Sequence, residues 1–139
     1  MTTTFKIINN QKDWEKIREE VFVVEQGFQN EFDQFDRNAL HLTLYDDGVL
    51  IGTCRGIIKG GVGHIGRLAV LKEHRRQGYG KMLITKMEKL LISYGIYKME
   101  LSAQVQAVPF YIEQGYTKVG EPSYDEHVLH QKMRKTIKQ

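Results

Sequence analysis

An α/β fold of the mixed α+β kind is what this sequence predicts: a mixed, mostly antiparallel sheet flanked by helices. Three observations carry that reading. A meander of alternating apolar strands runs from Leu40 to Lys72. A strand–helix–strand–helix succession follows it, ending near Gln114. Hydrophobic residues make up 41% and charged residues 27% of the 139, which is enough for one buried core under a solvated surface. Repeats, low-complexity tracts and linkers are absent from the sequence, so residues 1–139 read as one domain.

Taken in order, Phe5, Ile7 and Ile8 indicate a short first strand, and Asn10 and Asp13 are cap candidates for the helix after it. Trp14, Ile17, Val21 and Val24 recur at helical spacing and predict one buried face, with Gly27 as the stop. From Phe28 to Asn38 acidic and aromatic residues interleave, which suggests an ordered loop or short helix over a site. Leu40, Leu42 and Leu44 alternate as a strand does, Asp46-Asp47-Gly48 is a hairpin signal, and Leu50 to Ile58 is the next strand. Lys59 to Gly63 is a turn, and His64 to Lys72 a third strand. Tyr79, Leu83, Met87, Leu90, Leu91 and Tyr94 form the apolar stripe of the strongest helix, which Gly95 stops. Tyr97 to Gln104 is a strand, Ala107 to Gln114 a short helix, and Tyr116 to Val119 and Val128 to Met133 the last strands.

Composition narrows the function. With 20 Lys+Arg against 17 Asp+Glu the net charge is +3, compatible with anionic small molecules but too weak to argue for nucleic acid. Cys54 is the only cysteine, so an internal disulfide and a Cys-based zinc cluster are excluded, and it reads as a small buried hydrophobe. Met1 to Lys6 lack the basic start and apolar run of a signal peptide, and no apolar stretch approaches the roughly 18 residues of a membrane span. The expected location is therefore cytoplasmic, without membrane attachment. His64 and His74 do not recur at a metal-ligand spacing, so no metal is expected; His41, His127 and His130 fall on strands, where packing or exposure is the ordinary fate.

The chemistry concentrates between Leu68 and Lys81. The strand Leu68-Ala69-Val70 runs into Arg75-Arg76-Gln77-Gly78-Tyr79-Gly80-Lys81, a turn with two glycines that opens a long helix. Helix N-termini carry unpaired N–H groups and the positive end of the dipole, and glycines allow close backbone approach, so this is a phosphate cradle. Arg75, Arg76 and Lys81 add positive charge. The Walker A pattern fails because Met82 follows Lys81 and Arg75 replaces the first glycine; the Rossmann fingerprint fails at Leu83. A plain connecting turn ranks level with the cradle on these residues alone.

What remains, Arg-x-x-Gly-x-Gly from Arg75 to Gly80, resembles the acyl-CoA-binding motif of the GNAT superfamily of N-acetyltransferases. Met99 to Gln104, Ala107 to Tyr111 and Gly115-Tyr116 resemble that family's next strand, helix and closing turn. Val21 to Gln26 followed by Glu31-Phe32-Asp33 resembles its small ElaA/YjcF-like bacterial branch. The resemblance implies a GNAT-like acyl-CoA N-acyltransferase fold whose sheet splays between the strands at Leu68–Val70 and Leu101–Gln104. It implies acetyl-CoA as cosubstrate, its pantetheine arm beside Leu68, Ala69 and Val70 and its pyrophosphate on the N–H groups of Gln77, Gly78, Tyr79, Gly80 and Lys81. Gln104 is a candidate partner of the arm. An amine then attacks the thioester directly, which requires a donor for the oxyanion, an acid for the thiolate and a sink for the amine's proton.

Tyr111 is the candidate acid, at a helix position where the family often carries Tyr; a phenol with a reference pKa of about 10 is protonated at neutral pH. Its competing reading is a core aromatic. Glu31 is the candidate catalytic carboxylate among Glu25, Glu31, Asp33 and Asp36, the aromatics anchoring the loop while Glu31 and Asp33 face the cleft. A solvated acidic loop is the competing reading. The expected acceptor is a small-molecule amine, with an amino sugar phosphate, a protein lysine or a non-catalytic acyl-CoA-binding module as alternatives. Homodimers are common in the family, though no apolar stripe demands one.

Overall fold

The protein is described by a computed structural model over residues 5–139; residues 1–4, part of the segment read for a signal peptide, lie outside the described residues. Strand β1 (Phe5–Ile8) leads into α1 (Gln11–Arg18), whose start is set by the Asn10 side chain accepting the Asp13 N–H at 3.1 Å. The helix then widens into a π-helical stretch, Glu19–Glu25, closed by Gly27 in the left-handed region at φ 78°. That widening changes the register of the face. Trp14, Ile17 and Val21 are buried as the spacing predicts, but Phe22 is buried in place of Val24, which is turned out and 73% exposed.

The sheet is built from β1, β2 (Leu40–Asp46), β3 (Val49–Lys59), β4 (Val62–Val70), β5 (Lys98–Gln104), β6 (Thr117–Lys118), β7 (Ser123–Asp125) and β8 (Val128–Thr136). Its spatial order is β1-β2-β3-β4-β5-β8-β6, with β7 also paired to β8. Every pairing is antiparallel except β4 with β5. β7 has no counterpart in the sequence reading. Its turn into β8 carries Glu126, not glycine, in the left-handed region at φ 54°, so the usual turn signal is missing.

Helix α2 (Tyr79–Ser93) packs on one face of β3 and β4, burying Tyr79, Leu83, Ile84, Met87 and Leu91. Full burial of each such side chain contributes roughly 1.5–3 kcal/mol. The stripe ends there: Tyr94 is exposed, because the chain leaves the helix at Gly95. Close docking relies on Gly56 and Gly63, where an added Cβ would stand 2.6 Å from Met87 Sδ and from Leu91 Cδ1. Helix α1 covers β2, β3 and β4 on the opposite face, and the short α3 (Val108–Glu113) follows β5. Cys54 is fully buried, and burial pushes its thiol up to about 12, which makes it inert as a nucleophile.

Candidate active site

Pairing of β4 with β5 runs from Val62↔Lys98 to Ile65↔Leu101 and stops. Beyond that point the strands diverge, and the fork opens a cavity of about 670 Å³. A bulge sits on β4 just past the fork: Thr53 pairs with Ala69 and Arg55 with Gly66, so Arg67 and Leu68 together oppose Cys54. Arg67 takes a left-handed φ of 51° to make it. The bulge takes Arg67 and Leu68 out of the β3–β4 ladder, which resumes at Ala69 and Val70; Leu68, Ala69 and Val70 all border the cavity.

The start of α2 stands beside this opening. Its first helical bond runs from the Met82 N–H to the Gly78 carbonyl at 3.2 Å, so the N–H groups of Tyr79, Gly80 and Lys81 precede the ladder. No side chain caps this end, and its first turn holds no acidic residue. Gly78 is left-handed at φ 86° with open space where a Cβ would be. Gly80 lies against Phe110, 3.5 Å from its ring for a built Cβ, in ordinary contact. An uncapped, cation-flanked helix start is the donor arrangement that an anion satisfies. Of the cradle residues, Tyr79 contributes only backbone: its ring is in the core and its hydroxyl donates to Asp46 Oδ2 at 2.6 Å. Arg75 is not a free cation. It grips Glu25 with two bonds of 2.7 Å and donates from Nε to the Val70 carbonyl at 2.8 Å, tying the π-helical stretch to the end of β4.

Tyr111 borders the cavity from α3, edge-on to Phe110 at 5.0 Å and to Tyr116 at 6.0 Å between ring centroids. Burial pushes its phenol well above the usual range, so it stays protonated. Gln104, at the end of β5, bridges the mouth: its amide donates to Gln26 at 2.8 Å and accepts from Gln106 at 2.6 Å. The Gln26 carbonyl accepts from His127 Nε2 at 2.6 Å. The Glu126 carboxylate accepts the N–H groups of Gln29 and Asn30 at 2.9 and 3.0 Å. The β7–β8 turn thus roofs the cavity by holding the loop after Gly27.

That loop matches the expected arrangement only in part. Phe28 is buried and Glu31 borders the cavity, but Phe32 and Phe35 are exposed, and the carboxylates share in anchoring the loop. Arg18, itself 1% exposed, donates to Glu31 Oε2 at 2.8 Å and to both Asp36 oxygens at 2.8 and 3.1 Å. Arg67 reaches the same Glu31 oxygen at 2.9 Å and Asp33 at 3.2 Å, and Arg55 holds Asp33 and Asp36 at 2.9 and 3.0 Å. The physical reason is desolvation. Three arginines lie under the loop, and their charge must be met by Glu31, Asp33 and Asp36. Asp33 and Glu31 are therefore not open anionic ligands, although Glu31 borders the cavity.

Two titrations of opposite sign follow. Arg18 and Arg55 outweigh burial at Asp36 and hold its carboxyl at about 2, below its ordinary 3.8. Its stabilising contribution is complete above about pH 4 and lost as pH falls through 2. Burial pushes Glu31 the other way, against the pull of Arg67 and Arg18, so lowering pH toward its folded value relieves a penalty. Acid unfolding is accordingly expected to be steepest between about pH 4 and 2, and Asp36→Asn should flatten that limb in a circular-dichroism titration. A limb unchanged by the substitution would remove Asp36 from the acid response.

His41 is a packed histidine, stacked on Trp14 at 4.0 Å with Nε2 donating to the Asp36 carbonyl at 2.9 Å. Among the described residues no group of three or more His, Cys, Asp or Glu stands together as a metal site. No described helix is long and apolar enough to cross a membrane.

An acetyltransferase (GNAT) domain model matches residues 9–137, and the chain belongs to that family. YjcF, an uncharacterized N-acetyltransferase of Bacillus subtilis (strain 168), is 37% identical over 127 residues, covering 89% of this chain and 91% of YjcF. Among solved structures, an acyl-CoA N-acyltransferase from Pseudomonas aeruginosa superposes with a TM-score of 0.82 at 26% identity, over 97% of this chain and 100% of that one. Escherichia coli ElaA superposes with a TM-score of 0.82 at 21% identity, over 96% and 99%. The fold, the family and its small bacterial branch agree with the sequence reading, and the family is one of acyltransferases.

The sequence reading missed the Arg67 bulge, the roof made by Gln26, His127 and Glu126, and the charged residues of β5 and β8. Gly66, beside Arg67, was the bulge's one local signal and went unread, and the others are joined only by tertiary pairing.

Proposed function

We propose that the protein transfers an acetyl group from acetyl-CoA to a primary amine by direct attack on the thioester. The observation that carries this is the coincidence of two features: the β4–β5 fork and the uncapped start of α2 beside it. The pantetheine arm lies in the fork along Leu68, Ala69 and Val70, on the edge of β4 that β5 leaves unpaired beyond Ile65. The pyrophosphate rests on the N–H groups from Gln77 to Lys81, with Arg76 and Lys81 supplying charge. Arg75 serves as a strut for the cradle through Glu25, and Gln104 closes the mouth over the arm. Tyr111 donates to the departing sulfur. Glu31 is the proposed sink for the amine's proton. Its raised pKa suits a base working closer to neutrality, while its bonds to Arg18 and Arg67 oppose proton uptake. The acceptor is a small molecule, and the setting cytoplasmic.

The cradle is tested by Gly78→Glu. A side chain at φ 86° strains the turn, and its carboxylate would face the pyrophosphate. Acetyl-CoA affinity by calorimetry is expected to fall by about tenfold or more, about 1.4 kcal/mol. Affinity equal to the parent's would place the pyrophosphate elsewhere.

A further inference from the structure

The acceptor's own chemistry is written on the face of the sheet opposite α2. In the loop after Gly27, Glu31, Asp33 and Asp36 are each bound to Arg18, Arg55 or Arg67, so their charge is already met. The unbalanced charge lies on β8. Lys132 borders the cavity, and Arg134 is the next residue on the same face. Their side chains are 54% and 48% exposed, and both bind one carboxylate, Glu100, at 3.1 and 3.6 Å. Glu100 is mostly buried, and its bond to Lys132 with the nearby Arg134 holds its carboxyl below the usual range. It therefore stays charged and orients both cations. An ammonium has three donors and a guanidinium five, so one shared carboxylate leaves most of them to solvent or to a ligand. Lys98, beside Glu100 on the same face of β5, adds to the excess.

Position gives this pair its meaning. Lys132 is level with Ser102 and Arg134 with Glu100, and β4–β5 pairing ends between them at Leu101. The two cations thus stand on either side of the fork's apex, on the face away from α2, Lys132 at the cavity and Arg134 beside it. Asp125 and Glu126 border the cavity at its other end, above Gln104. Glu121 also borders the cavity, and Arg75 lies at the far end of β4. A molecule whose anionic group meets Lys132 and Arg134 has carboxylates within the cavity to receive its amine.

We infer that the acceptor is a primary amine bearing an anionic group, carboxylate or phosphate, which Lys132 and Arg134 grip at the β4–β5 fork. This rests on the acetyltransferase reading and deepens it. Lys132 and Arg134 are specificity determinants, and Glu100 positions them.

The test measures thiol release from acetyl-CoA with matched amines. Glucosamine 6-phosphate against glucosamine is the phosphate arm, β-alanine against propylamine the carboxylate arm, and putrescine the cationic control. For the parent, kcat/KM is expected to be at least about tenfold higher for the anionic member of one arm than for its partner, as a charge-assisted contact implies. The preferred arm identifies the anion. K132Q/R134Q should abolish the preference by raising KM for the anionic amine, with kcat and acetyl-CoA affinity nearly unchanged. High salt should weaken the preference in the parent. Equal or higher kcat/KM for the neutral amines or putrescine, no turnover of any anionic amine, or a preference that survives K132Q/R134Q would each overturn the inference. Failure of the underlying reading is separate and visible by calorimetry: a parent that does not bind acetyl-CoA overturns both.

Discussion

Tyr111→Phe is expected to lower kcat by roughly 10²–10³ and to leave acetyl-CoA affinity nearly unchanged, the cost of removing one preorganised donor from a developing anion. The substitution keeps the ring, and with it the edge contacts to Phe110 and Tyr116 that fix its place beside the cavity. Burial sharpens what the hydroxyl can do. A phenol pushed well above its ordinary range resists giving up its proton outright, since that would leave a buried phenolate. In the proposed mechanism it donates a hydrogen bond to the sulfur as charge develops there. The thiolate, with a reference thiol pKa of about 8.5, is then stable enough to leave without full protonation in the transition state. Measured under conditions where chemistry limits turnover, an unchanged kcat would make Tyr111 a packing residue only.

How far the sequence discloses such a site depends on whether the signal is local. The cradle is local: Gly78 and Gly80 sit within one turn of the helix they open, and the strand before them is contiguous. The stripe Leu83, Met87, Leu91 is local too, because it repeats every turn against one surface. The acidic loop misled because alternation says nothing about what lies beneath. Phe35 is exposed and Phe32 is half-exposed over Arg18, while Arg18, Arg55 and Arg67, from three other elements, converge under the carboxylates. No spacing rule joins Arg18 to Asp36, and only the folded sheet brings Arg55 to both. The same holds for Lys132 and Glu100, which meet through the β5–β8 register. Val24 failed for a subtler reason: a π-helical turn changes the period that the apolar pattern assumes.

The arginine cluster also supplies the largest expected stability effect. Arg18 is 1% exposed and makes four hydrogen bonds, two to Asp36, one to the Glu31 carboxylate and one to the Glu31 carbonyl at 2.9 Å. Its guanidinium lies between two rings, 5.1 Å from the Trp14 centroid and 4.8 Å from that of Phe32. Arg18→Met keeps much of the volume and removes the charge, so Glu31 and Asp36 lose a buried partner. Breaking such a pair costs about 3–5 kcal/mol. Arg67 still holds Glu31 and Arg55 still holds Asp36, which places the expected loss near the lower end, about 3 kcal/mol. For a domain of this size that is a fall in Tm of roughly 10 °C. Because the loop forms one wall of the cavity while the cradle lies at the start of α2, acceptor KM should rise with acetyl-CoA affinity retained. Adding Glu31→Gln and Asp36→Asn to Arg18→Met removes the orphaned charges and should recover part of the loss, since contacting residues are not additive. A loss below about 1 kcal/mol in urea unfolding, the worth of an exposed ion pair, would show that solvent already compensates the cluster.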